Sequence, residues 1–398
     1  MVSFLLPIIY LAFISLGLPD SALGAGWPTM YPELGVPVSY AGIISAIIAA
    51  GTIVSSLLSS RLISVLRTGG VTAISVAMTA AALFGFSISH AFWALCIWAV
   101  PYGLGAGSVD AALNNFVALH YKSHHMSWLH CMWGVGATAG PVIMGAVLTA
   151  GIPWNMGFRV IFFVQLALTL VLVITFPMWK VVEEDGETEL DEEELAELQK
   201  EKEPFKPRPL REIIQLPGAK AIMLAFFCYC AIEQTAGLWT ASYLNLHGGL
   251  SEADAARFAS MVFLGVTIGR ALNGFLTFKF SDDQLIHLGE ALILIGVVGL
   301  MLPVGSLYLT LAAIFLIGLG CAPIYPCVIH STPDHFGRRE SQELIGIQMA
   351  SAYVGTLAMP PLFGFLAEHI TIGLWPFYLG ALLVLMVFMY ERVRAATK

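Results

Sequence analysis

Charge is scarce in this sequence: 12% of its 398 residues are Asp, Glu, Lys or Arg, about half the share of an ordinary soluble domain. With 58% hydrophobic residues and a mean hydropathy of +0.80, that excludes a water-soluble chain of two or three domains, which length alone would suggest. Cysteine is sparse too. The six (Cys96, Cys131, Cys228, Cys230, Cys321, Cys327) all fall in apolar segments, where a free cysteine acts as a small hydrophobe, so neither disulfides nor a metal site are expected. Cys228 and Cys230, two apart on a helix, point to different faces. There is no Asn-x-Ser/Thr sequon, no glycine-rich loop carrying a lysine for phosphate, and no Ser/His/Asp spacing for nucleophilic catalysis. An enzyme is therefore not expected, nor is a nucleic-acid partner.

The net charge of −8 gives a false impression of an acidic surface. Residues 183–203 hold twelve of the 27 acids and two of the 19 basic residues, which leaves the rest of the chain at +2. One loop carries the acidity.

What is abundant is long apolar runs. About 20 such residues cross the hydrocarbon core of a bilayer, and suitable windows lie near 4–30, 39–61, 70–89, 91–119, 126–150 and 158–178, then 218–245, 253–278, 284–304, 306–331, 341–366 and 370–390. The first has no basic n-region and reads as a span rather than a cleaved signal peptide. Lys and Arg favour the cytoplasmic side. With the N-terminus inside, that side receives Arg61, Arg67, Lys122, Lys279, Arg338, Arg339, Arg392, Arg394, Lys398 and the six basic residues of the central linker, while Arg159 and Arg257 fall outside. Both termini are thus expected in the cytoplasm.

The chain divides into a six-helix bundle at 1–178, an acidic cytoplasmic linker at 179–217 and a second six-helix bundle at 218–398. Within the linker, Thr188–Glu203 is a strong helix former, followed by the breakers Pro204, Pro207 and Pro209. It reads as a solvated connector, with a regulatory docking helix as the alternative. The two bundles are repeats. A shift of 215 lays Gly103-Leu104-Gly105 on Gly318-Leu319-Gly320, a shift of 214 lays Gly51 on Gly265, and a shift of 212 pairs Trp27 with Trp239 and Tyr31 with Tyr243. The fold class is all-α: twelve membrane helices in two pseudo-symmetric halves.

A charge at the bilayer centre costs at least ~2.5 kcal/mol on insertion scales, so those retained there mark function. They are Asp20, Asp110 and Glu233, with Arg270 in the inner half of the eighth span. Asp20 sits in GLPDSALGAGWP, where Pro19 and three glycines interrupt the helix, an arrangement tolerated where the backbone lines a cavity. The repeat places Asp20 one residue from the counterpart of Glu233. These two are the expected ion-coupling acids, because a carboxylate taken out of water favours its neutral form and so loads a proton readily. Asp110 shares a helical face with Asn114, with Asn115 beside it, a set suited to hydroxyl groups. Further expected ligand contacts are His130, Trp133, Gln234, Trp239, Asn273, Tyr325 and Gln348, with aromatic rings stacking on sugar C–H groups. Trp27 and Tyr31, near the outer interface, read as belt anchors. Gly134, Gly136, Gly140, Pro141 and Gly145 form a face for close helix packing.

Two six-span repeats joined by an acidic loop resemble the major facilitator superfamily. The run from Asp110 through Asn114, Phe116 and Val117 resembles the acid-x-x-x-Asn-x-Phe-Val pattern of its fucose:proton symporter family. The acid Asp20, the stretch LHCMWGVGATAGP at 129–141 and GLGCAPIYP at 318–326 are similar as well. The resemblance implies a plasma-membrane importer of a neutral monosaccharide or polyol, monomeric, working by alternating access. It also implies that Asp20 carries the proton and that Asp110 contacts sugar. No cofactor is expected beyond the coupling ion, a proton or sodium. Short loops without sequons suit a bacterial inner membrane. The competing expectation is a proton-coupled exporter of amphipathic compounds.

Overall fold

The computed structural model describes residues 2–121, 123–185, 210–302 and 305–397. Every element in them is helical, and twelve helices are long and apolar enough to cross a membrane. Spans 1–6 are Phe4–Glu33, Tyr40–Ser59, Arg61–Ile88, Phe92–Val117, Trp128–Thr149 and Trp154–Ile174. Spans 7–12 are Ala219–Leu246, Glu252–Leu276, Asp282–Met301, Leu307–Phe336, Leu344–His369 and Ile372–Thr397. Residues 186–209, which hold most of the acidic linker and the expected helix of the solvated connector, lie outside the described residues.

Lipid is as apolar as leucine, so these helices gain little from hydrophobic burial against one another. They associate by close packing through small residues. In the first half a Cβ built on Gly103 would stand 2.2 Å from the carbonyl oxygen of Ile48, and one on Gly105 would stand 2.6 Å from that of Ser75. In the second half a Cβ on Gly318 would meet the Val262 oxygen at 1.9 Å, and one on Gly320 the Gly289 oxygen at 2.5 Å. The pairs correspond under the sequence repeat: span 4 fits against spans 2 and 3 as span 10 fits against spans 8 and 9. Duplication has therefore preserved contacts as well as residues. A side chain in either slot must push two helices apart, and overpacking of this kind costs about 1–3 kcal/mol. Gly318→Ala is expected to lower the unfolding temperature clearly in a detergent melt, whereas alanine at Gly274, where a Cβ would meet nothing within 4 Å, is expected to leave it within a degree or two.

The halves meet towards the outer side. Ser39 at the start of span 2 donates a hydrogen bond to Glu368 at the end of span 11. Gly42 lies against Pro361, Gly24 against the Leu238 carbonyl and Gly145 against Arg257. Span 1 is broken at Ser21 into Val2–Asp20 and Ala22–Glu33. Its outer piece packs on spans 7 and 8, while its inner piece packs mainly against helices of its own half. These contacts close the crevice between the halves on the outer side.

Trp27 corrects one expectation. It is fully buried, with its indole N–H donating to the Val38 carbonyl at 2.7 Å, so it fixes the loop after span 1 rather than anchoring in the headgroup layer.

Candidate transport site

The break at Ser21 leaves Asp20 as the last residue of the inner piece of span 1, exposed between the buried neighbours Pro19 and Ser21. Both carboxylate oxygens are held from its own half. The Tyr102 hydroxyl of span 4 donates to Oδ1 at 2.9 Å, and the Trp133 indole N–H of span 5 donates to Oδ2 at 2.9 Å.

Glu233 on span 7 is held from the other half. Tyr229, one turn earlier, donates to Oε2 at 2.8 Å, and Arg270 of span 8 reaches Oε1 at 3.3 Å. Arg270 also donates to the His130 carbonyl of span 5 at 3.3 Å and lies 4.9 Å from the centre of the Trp133 ring. A chain of contacts therefore runs from Tyr102 through Asp20, Trp133 and Arg270 to Glu233 and Tyr229, crossing between the halves at Trp133.

Asp110 on span 4 lies within electrostatic reach of Asp20, Arg270, Tyr325 and Tyr353. Its carboxylate accepts from Asn114 at 3.0 Å, whose own carboxamide oxygen has no partner. Asn115 and Gln234 are exposed. Tyr325, half-buried, packs with Phe226 and Tyr229 into an aromatic wall, ring centres 5.2 and 6.2 Å away, and its hydroxyl points at the Met349 sulfur.

Other expected contacts are placed elsewhere. Trp239 is fully buried, donates to the Pro360 carbonyl at 2.9 Å and packs edge-on to Phe363. Gln348 is fully buried against Thr332, joining spans 10 and 11. Asn273 is buried with its carboxamide oxygen unpartnered. His130 stands edge-on to Phe13 at 5.8 Å and offers its backbone, not its ring, to Arg270. Trp239 and Gln348 tie helices together within the second half.

Two features escaped the sequence reading. Tyr102 is one, since a tyrosine in an apolar run carries no signal of its partner. Glu290 of span 9 is the other, a 4% exposed acid hydrogen-bonded at 2.8 Å to His287. Asp283, His287 and Glu290 repeat at helical spacing and face span 12, where Arg394 bonds Asp283, His287 and Glu391, and Tyr390 bonds Asp283 at 2.6 Å. That 283–287–290 spacing was the available signal. The cluster joins spans 9 and 12 near their cytoplasmic ends, away from the central crevice. Arg394 is its only arginine or lysine among the described residues and is partly exposed. Arg394→Ala is expected to cost about 1–3 kcal/mol, between exposed and buried ion pairs, read as a lower unfolding midpoint.

A twelve-span bundle of two repeats, closed on one side, with ionisable groups converging on the crevice between its halves, is a membrane transporter. The Major Facilitator Superfamily model matches residues 9–312 and 291–397, and the chain belongs to that superfamily. Bypass of stop codon protein 6 of Saccharomyces cerevisiae is 23% identical over 391 residues, covering 92% of this chain and 77% of that protein. The glucose/mannose transporter GlcP of Bacillus subtilis is 21% identical over 320 residues, covering 79% of this chain and 75% of that one. Crystal structures of peptide transporter POT share the fold. The complex with sulfate has a TM-score of 0.72 at 15% identity, covering 98% of this chain and 95% of POT. A variant bound to alafosfalin reaches a TM-score of 0.74 at 16% identity, covering 99% and 95%. The chain is thus a multi-pass membrane protein that moves a small molecule rather than an enzyme.

Proposed function

We propose that this protein imports a neutral monosaccharide or related polyol together with protons, as a monomer, by rocking its two halves about the crevice. The observation that carries the reading is the setting of Asp20. It is an acid at a helix break, exposed in the crevice, held by two neutral donors and, among the described residues, paired with no cation, so it is free to gain and lose a proton. Glu233 is committed to Arg270 and serves as the counter-charge that keeps the arginine at the interface. Asp110, Asn114, Asn115, Gln234, Trp133 and the Tyr325 wall offer hydroxyl-binding groups and an aromatic face. The glucose/mannose transporter among the relatives supports a sugar, and short loops without sequons suit a bacterial plasma membrane. Purified protein in liposomes is expected to accumulate one of a panel of labelled hexoses or polyols when the outside is made acidic. A sodium gradient at equal pH is expected to give none. If no member of the panel accumulates under either gradient, sugar symport is wrong.

The second reading is export of amphipathic compounds. It draws on the two neighbouring acids Asp20 and Asp110, which would attract an organic cation. An efflux-deficient strain expressing this protein would then show raised resistance to cationic dyes, and the symport reading expects unchanged resistance.

A further inference from the structure

Trp133 is the one side chain among the described residues that touches the acid of the first half and the cation of the second. Its N–H edge binds Asp20 Oδ2 at 2.9 Å and its ring lies 4.9 Å from the Arg270 guanidinium carbon. The ring is further fixed edge-on to Phe263 of span 8, centres 6.3 Å apart. We propose that Trp133 is the coupling residue: it reports the protonation of Asp20 to Arg270, and so to the balance between the outer-closed and outer-open arrangements. This rests on the proposed role of Asp20 as proton carrier.

A hydrogen bond to a charged acceptor is about twice as strong as one to a neutral group. Ionised Asp20 therefore holds the indole firmly with its face towards Arg270. Neutral Asp20 holds it weakly, and the ring is then free to leave the guanidinium. The Trp133–Arg270 contact spans the interface in the outer-closed arrangement, so whatever strengthens it there favours that arrangement. Arg270 itself is fixed by Glu233 on span 7 and by the His130 carbonyl on span 5, which makes it a rigid target. Uncoupled from Trp133, a proton on Asp20 would change only the first half.

Other titratable groups near Asp20 do not make this connection. From span 4 it is faced by Tyr102, which is already its donor, and by Asp110, which is bonded to Asn114. From span 5, His130 lies against Phe13 of span 1, and His125 pairs with Tyr10 near the inner ends of spans 5 and 1. Span 6 presents an uncharged Gln165 to the Ser15 carbonyl.

The test reads the outer opening directly and needs no substrate. Spin labels on Ile152→Cys and Leu246→Cys, exposed positions at the outer ends of the two halves, report their separation by double electron–electron resonance, in full-length protein with Cys96→Ser in nanodiscs. The wild type is expected to move towards the longer distance as pH falls from 8 to 5, with the ratio of the two populations changing about tenfold, in keeping with one cation–π contact. Asp20→Asn is expected to give one distribution at every pH. Trp133→Phe keeps a ring for Arg270 but has no N–H for Asp20, and is expected to be equally insensitive to pH with Asp20 intact. Should Trp133→Phe fold poorly, Glu233→Gln/Arg270→Gln severs the relay on its far side and is expected to be flat as well. If Asp20→Asn is flat while Trp133→Phe or the double variant follows the wild type, the relay is overturned and Asp20 keeps its role. If Asp20→Asn still follows the wild type, the role of Asp20 fails first. A flat wild-type profile overturns the relay outright.

Discussion

Arg270→Ala is expected to cost the folded protein about 3–5 kcal/mol, because it strands Glu233 as a buried charge without a counter-ion. The side chains of the pair are 14% and 11% exposed, so water screens them little. Glu233→Gln is expected to do nearly as much harm, since it leaves the guanidinium without its ion-pair partner, with the His130 carbonyl, the Trp133 ring and the Tyr229 hydroxyl beside it. The double variant Glu233→Gln/Arg270→Gln is expected to recover most of the loss. Removing both charges also removes the desolvation cost of burying them, and such replacements are often neutral or stabilising. Unfolding midpoints of the four proteins in detergent form a double-mutant cycle. Additive losses would mean that the pair does not interact, and would remove Glu233 from its role as counter-charge.

The architecture was legible in the sequence because its signals are collective. Twenty-residue apolar runs, the Lys/Arg bias and three similar repeat offsets each sum over many residues, and the packing of Gly103 on Ile48 and Gly318 on Val262 repeats those offsets in space. The site was legible only where a residue broke a local rule. Asp20 beside Pro19 does so, and the helix does break there. Trp133 and Trp239 do not: both are tryptophans in apolar helices of similar composition. One stands between the halves and the other is buried against Pro360 and Phe363, a difference set by which helices become neighbours. Gln348 was misread in the same way, since a polar residue in an apolar span is satisfied equally well by a ligand or by Thr332 on the adjoining helix. Glu290 escapes notice because its bonded partner His287 belongs to a cluster completed by Arg394 and Glu391 of span 12, about a hundred residues away.

Asp20→Asn is expected to separate transport from accumulation. Asparagine keeps the shape and one oxygen, which accepts from the Trp133 N–H while the amide N–H donates to the Tyr102 hydroxyl oxygen, so the folded state and the crevice are expected to persist with a small loss of stability. What it removes is the group that changes charge. Exchange of labelled for unlabelled substrate across the membrane needs the halves to rock with substrate bound and no net proton movement, and is expected to continue at a comparable rate. Uphill uptake driven by external acid needs one proton to enter with each substrate, and is expected to fall at least a hundredfold, to the level of simple equilibration. Asp110→Asn is expected to behave in the opposite way, weakening substrate binding in exchange and in driven uptake alike, because that acid accepts from Asn114 beside the proposed hydroxyl-binding groups. The pair of assays therefore assigns the two acids separately. Driven accumulation that survives in Asp20→Asn would move the proton elsewhere in the crevice, and exchange abolished along with it would make Asp20 a substrate ligand instead.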